Sequence, residues 1–151
     1  MLQVARISGV ALLMLAVPLT ASAALGGDAA SVQADQQQLH GTLRLAVRGG
    51  ERFVVHELQA PSGTVIRQYA APNGIVFGVA WEGPSMPDLR QVLGGYFQQY
   101  VDAAKSRRAR GPLVIQQPGL VMRSGGHMRA FHGQAYDPRM LPEGVGPEEI
   151  R

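Results

Sequence analysis

The stretch IVFGVAWEGPSMPDLRQVLGGYFQQYVDAAKSRRARG, Ile75 to Gly111, changes its periodicity once, and that change decides the fold class. Ile75 to Trp81 is a nearly continuous apolar run rich in valine and aromatic residues, the pattern of a strand covered on both faces and lying centrally in its sheet. From Leu89 onward the apolar residues recur at three- and four-residue steps: Leu89, Val92, Leu93, Tyr96, Phe97, Tyr100, Val101 and Ala104. This spacing predicts one long helix with a single continuous apolar face. Ser85 is its expected N-cap, with Asp88 three residues on in the manner of a capping box and Pro87 in the first turn. Gly111-Pro112 ends it. Gly94-Gly95 in its middle costs about 1 kcal/mol per glycine relative to alanine, which predicts a close approach of the helix backbone to the sheet. The basic run KSRRAR, Lys105 to Arg110, then falls at a helix C-terminus, where the macrodipole favours cations.

Working outward, three further strand patterns precede this stretch. In TLRLAVR (42–48), Leu43, Leu45 and Val47 alternate with Thr42, Arg44 and Ala46, the period of a half-buried strand. RFVVHELQ (52–59) and TVIRQYA (64–70) follow, separated by Gly49-Gly50 and by APSG. Asn73-Gly74 is the strongest short hairpin signal in the chain. Short turns between successive strands predict an antiparallel meander. After the helix come PLVIQQ (112–117), GLVMRS (119–124) and HMRAFHGQAY (127–136), with Pro118-Gly119 and Gly125-Gly126 as the expected turns. The fold class is therefore α+β: an antiparallel sheet of about six or seven strands packed on one long amphipathic helix, in a cystatin-like or roll-like arrangement. A short N-terminal helix, Ala29 to Leu39 capped by Asp28, completes it. The tail 141–151 has no periodicity and is expected to be loosely ordered, with Leu141 its one docking residue.

The N-terminus carries a secretory signal pattern. Arg6 supplies a positive n-region, the uncharged run Ile7 to Ala23 is broken by Pro18, and Ala21-Ser22-Ala23 is an A-x-A cleavage site. Cleavage is expected after Ala23, with Ala24 as the second choice. The run is short for a membrane span, which needs about 20 apolar residues, so no stable span is expected once the signal is removed. The organisation is then a signal peptide (1–23), a single α+β domain (24–140) and the tail (141–151), with a periplasmic or secreted destination. The chain has no cysteine. That rules out disulfides and a lipidated cysteine after the apolar run. A formal net charge of +3 over 151 residues is too small to point to nucleic acid.

The segments AALGGDAASVQAD after the signal, PSGTVIRQYAAPNGIVFGVAWEGPSMPDLRQVLGGYF, SGGHMRAFHGQAY and LPEGV together resemble a family of small exported proteobacterial proteins classed as a domain of unknown function. The resemblance covers essentially the whole chain after the signal. It implies export and a single domain, and it carries no activity, cofactor or catalytic residue.

SGGHMRAFHG, Ser124 to Gly133, is the densest chemical stretch. On a regular strand His127, Arg129 and Phe131 share one face and Met128, Ala130 and His132 the other. Met128 and Ala130 are then expected to pack inward. The expected binding surface is a polar-aromatic stripe of His127, Arg129 and Phe131 with Trp81, suited to an anionic or peptide ligand. His56, Glu57 and Glu82 would supply its other wall. Two imidazoles on opposite faces make a poor metal pair, and no metal or cofactor is expected. Ser124, His127 or His132, and Asp137 offer the parts of a small hydrolase, but no G-x-S-x-G or H-E-x-x-H motif organises them. The reading favoured by the residues is a non-enzymatic module that binds an envelope protein, peptide or glycan. The alternative is a hydrolase-type enzyme using His127 or His132.

Overall fold

In a computed structural model the chain is described over residues 24–31, 42–46, 51–107 and 111–151. The signal pattern and most of the expected N-terminal helix lie outside these residues. Within them Asp28 does cap a turn, its Oδ1 accepting from the Ala30 N–H at 2.8 Å, but that turn is a 3-10 helix over Ala29–Ser31.

Seven strands form one antiparallel sheet: β1 (Thr42–Ala46), β2 (Val54–Gln59), β3 (Val65–Ala70), β4 (Val76–Gly83), β5 (Leu113–Gln117), β6 (Leu120–His127) and β7 (Ala130–Tyr136). Their order is β1-β2-β3-β4-β7-β6-β5, so the continuous apolar run becomes β4, the middle strand. The Asn73-Gly74 signal forms its turn: Gly74 has φ +84°, and Asn73 Oδ1 accepts from the Ile75 N–H at 3.0 Å.

The helix differs from the continuous one expected. It is built as α1 (Leu89–Leu93), a 3-10 turn over Gly94–Tyr96, and α2 (Phe97–Ser106). Asp88, not Ser85, is the N-cap, accepting from the Arg90 N–H at 2.9 Å. Ser85 is occupied elsewhere, its carbonyl accepting from the Thr64 hydroxyl at 2.8 Å. The break falls at Gly94, where φ is +52° and a Cβ would stand 2.7 Å from that of Ala24. The close approach is therefore to the N-terminal segment rather than to the sheet, and Gly95 faces open space. Leu93 is fully buried, whereas Phe97 and Tyr100 are only half-buried. The core centres on α1.

Pairing register assigns the two sheet faces. Val79 and Trp81 of β4, Ile66 of β3, Leu58 of β2, Ala135 of β7, Met122 of β6 and Ile115 of β5 point to the helix and form the main core with Leu89, Val92 and Leu93. A second, smaller core lies on the other face. There Phe53, Val55, Tyr69, Phe77 and Ala80 are covered by Val145 and Ile150.

That cover corrects the expectation for the tail. Ile150 is fully buried, and a Cβ on Gly78 would stand 2.7 Å from its Cδ1. The Tyr69 hydroxyl donates to the Arg151 carbonyl at 2.6 Å and accepts from the Arg151 N–H at 3.0 Å. The tail is tied down by a glycine notch and a tyrosine clasp, neither of which has a periodicity to read.

The last hairpin is also redrawn. β6 runs straight through Gly125-Gly126, and the chain turns at Met128-Arg129, with His127 paired to Ala130. Arg129, the second central residue of the turn, adopts the left-handed conformation, φ +69°, as in a type II turn. Met128, expected to pack inward, is 83% exposed, and Ala130 is exposed as well.

Candidate ligand-binding basin

The tail covers only one end of the sheet's second face. Beyond it lies a basin of about 570 Å³. Two cross-sheet rows pass through it, and Arg67, Gln134, Arg123, Val114, Glu82, His132 and Gly125 of these rows line it. The first runs Glu57, Arg67, Ala80, Gln134, Arg123 and Val114; the second runs Val65, Glu82, His132 and Gly125. Each residue is the outward, alternate position of its strand, so an ordinary strand period on several elements converges on one surface. Arg151, delivered by the docked tail, closes one end, and Pro112 and Val114 line the far side.

Three arginines, Arg67, Arg123 and Arg151, face this basin, with Glu82 as the one side-chain carboxylate among its lining residues. Arg67 is held from behind: its Nε donates to Glu57 Oε2 at 3.1 Å, and its Nη1 lies 4.0 Å from Glu82 and 3.5 Å from the Arg151 carbonyl oxygen. This fixes the guanidinium's direction while leaving donors over. The Arg123, Arg151, His132 and Gln134 side chains have no hydrogen-bond or ion-pair partner among the described residues. His132 leans over Gly125, where a Cβ would stand 3.5 Å from its Nε2. Guanidinium forks and amide donors on one concave floor match the geometry of carboxylate or phosphate oxygens.

The four residues expected to form a stripe do not come together. His127 stands at the hairpin tip, its Nδ1 3.2 Å from the Met128 carbonyl oxygen. Arg129 is in the loop, and Phe131 pairs with Gly83 and Gly126 on the helix side. Arg129 and Phe131 line a smaller hollow of about 280 Å³ that shares Glu82 and His132 with the basin. Trp81 lines the basin floor, but it is fully buried in the main core, and its indole N–H finds no acceptor among the described residues. Because the chain reverses between them, His127 and His132 take register positions on the same face rather than opposite ones.

The supposed second wall also divides. Glu57 supports Arg67, whereas His56 pairs with Gln68 on the helix side, where burial lowers its pKa. The hydrolase parts are likewise separated. Ser124 is buried on the helix side opposite Gly133, while His132 is on the open face. Asp137 accepts from Tyr96 Oη at 2.7 Å and from Arg139 Nη2 at 2.6 Å. The Arg139 hydrogen bonds and that of Tyr96 hold its carboxyl at about 2 despite burial. It orients no imidazole among the described residues.

The residues that sequence reading missed are Arg67, Arg123, Gln134 and Arg151. Each is a lone polar residue in a strand or tail, and only the pairing register gathers them. The available signal was an arginine at an outward position in both TVIRQYA and GLVMRS.

Among the described residues no helix is long and apolar enough to cross a membrane, and no group of three or more histidine or acidic side chains is placed to hold a metal. The model of one family, described as protein of unknown function (DUF2844), matches residues 21–150. The chain belongs to this family. The match spans both cores and every residue of the basin lining except Arg151, which lies one residue past its end. Comparison with curated proteins and with solved structures finds no match to either.

Proposed function

We propose that the chain is an exported, non-enzymatic binding module of the cell envelope, periplasmic or secreted, and that it holds an anionic group of its ligand in the basin. The observation that carries this reading is the set of unpaired donors: Arg123, Arg151, His132 and Gln134 share one concavity, and no described protein group satisfies them. Like charges gathered without partners do not help a fold; they suit an anion that arrives from outside. The apolar part of the lining, Val114 and Pro112 with the glycine backbone of β6 and β7, suits a ligand that is not purely ionic.

Export rests on the Arg6, apolar run and Ala21-Ser22-Ala23 pattern. The packing of Ala24 and Leu25 is consistent with it. Both are buried, and the Leu25 N–H donates to the Val92 carbonyl at 3.1 Å. A domain that begins at Ala24 keeps these contacts.

Titration with citrate, followed by amide chemical shifts, tests the ligand class. Shifts confined to Arg67, Arg123, Gly125, His132 and Gln134, and lost in Arg123→Ala, are expected. Shifts scattered over the surface, or unchanged by that substitution, would reject the basin as the site.

A further inference from the structure

The sheet's two edges are not alike. β1 carries a charge, Arg44, at its centre. β5, LVIQQ, carries none and has no proline within it, and its ladder with β6 runs without a register shift. Edge strands are ordinarily guarded by a charge, a proline or a bulge, and β5 has none of the three between its flanking Pro112 and Pro118. In an antiparallel ladder alternate residues of the last strand direct their N–H and C=O groups outward. The groups of β5 that point away from β6 meet no backbone partner among the described residues.

A groove of about 480 Å³ runs along this edge, between Ala103, Ser106 and Arg107 of the α2 end and the whole of Pro112 to Gln117. Inward-facing and outward-facing residues of β5 both line it, so it follows the edge rather than either face. Its lining contains no carboxylate. Arg107 stands at one end, its charge spread over two neutral acceptors, the carbonyls of Gly111 and Pro112. Arg123, unpaired, is the cross-strand neighbour of Val114, and Val114 is 54% exposed. A second copy pairing here would bring two arginine-lined basins side by side.

We infer that β5 accepts an extended peptide segment of a partner protein as an eighth strand, and that this segment carries acidic side chains at alternate positions. Backbone hydrogen bonds to the β5 edge give the affinity, and Arg123, on the same open face as its neighbour Val114, selects the charge. The charge preference rests on the basin reading; the strand addition rests on the edge alone.

The test uses the folded, processed chain and a blocked heptapeptide alternating valine and glutamate. Three controls accompany it: the valine–lysine counterpart, and two isomers of the acidic peptide N-methylated on either alternate set of residues. The acidic peptide is expected to bind and to slow hydrogen exchange at β5 amides. The lysine peptide is expected to bind at least tenfold more weakly. One N-methyl isomer is expected to bind and the other to lose at least tenfold, because strand addition uses one edge of the peptide.

Equal binding by both isomers would overturn the inference, as would protection of β5 that grows with protein concentration in the absence of peptide. Citrate separates the two readings. Peptide binding without citrate binding would remove the basin and leave the edge, and the reverse would remove the edge alone.

Discussion

Gly133 stands directly opposite Trp81 in the β4–β7 ladder, and the indole lies across it. A Cβ at 133 would fall 2.5 Å from Trp81 Cε2 and 2.9 Å from the Arg123 carbonyl oxygen. The largest side chain of the core thus has its seat cut by a glycine in the neighbouring strand, and the same backbone forms part of the basin floor. Neither neighbour can yield easily, because the ring is buried in the main core and the carbonyl belongs to the sheet. Gly133→Ala should therefore cost about 1–3 kcal/mol, or somewhat more, read as a fall in the urea midpoint with unchanged slope. The same substitution at Gly125, where the nearest atoms stand 3.4 Å or farther, should cost much less.

The hairpin tip and the helix separate by their response to substitution. Met128 is exposed at the turn, so Met128→Asp should change stability by no more than about 0.5 kcal/mol. Leu93 is fully buried at the end of α1, and Leu93→Ala should cost roughly 2–5 kcal/mol. Phe97, half-buried beneath Arg90, whose guanidinium carbon lies 4.7 Å above the ring, should fall between them. Thermal melts of the three variants give the order.

Acid should unfold the protein partly through one carboxylate. Asp137 has a folded pKa of about 2 against an ordinary 3.8. A lowered value means that its stabilisation is complete above pH 4 and disappears as the pH falls toward 2. The loss amounts to about 2 kcal/mol. Asp137→Asn should be less stable at neutral pH and should show a flatter decline over that window. Denaturant midpoints measured at intervals from pH 5 to 2 check both halves.

Much of the fold was legible because strand and helix periods are local. Ile75 to Trp81 reads as a central strand from its composition alone, and β2, β3 and β7 follow from patterns a few residues long. What failed was set by contacts distant in sequence. Gly125-Gly126 looks like a turn, yet it lets β6 lie close to β7: a Cβ at Gly126 would collide with the Ala130 carbonyl. The turn itself uses Arg129 in a conformation that few non-glycine residues adopt. Ile150 gives no sign of its burial, since the notch it fills is a glycine more than seventy residues earlier. The basin was illegible for a related reason. Arg67, Arg123 and Arg151 sit on three separate segments, and a one-residue error in any register would turn an arginine to the other face.

Processing should leave Ala24 in place. Its methyl group faces Gly94 at the break between α1 and α2, and it is buried. Cleavage after Ala23 keeps that contact, whereas cleavage after Ala24 removes it. The intact mass of the exported chain should correspond to Ala24–Arg151. A mass that retains Met1 would refute the signal assignment.

The role proposed for the open-face arginines is to serve a ligand rather than the fold. The double variant Arg123→Ala, Arg151→Ala tests it most directly, because both side chains are exposed and unpaired among the described residues. Removing two like charges from one basin should leave the melting temperature equal or slightly higher, while the affinity for citrate falls at least tenfold. A melting temperature lowered by several degrees with citrate binding unchanged would contradict the account, since the arginines would then be holding the sheet together and the ligand would lie elsewhere.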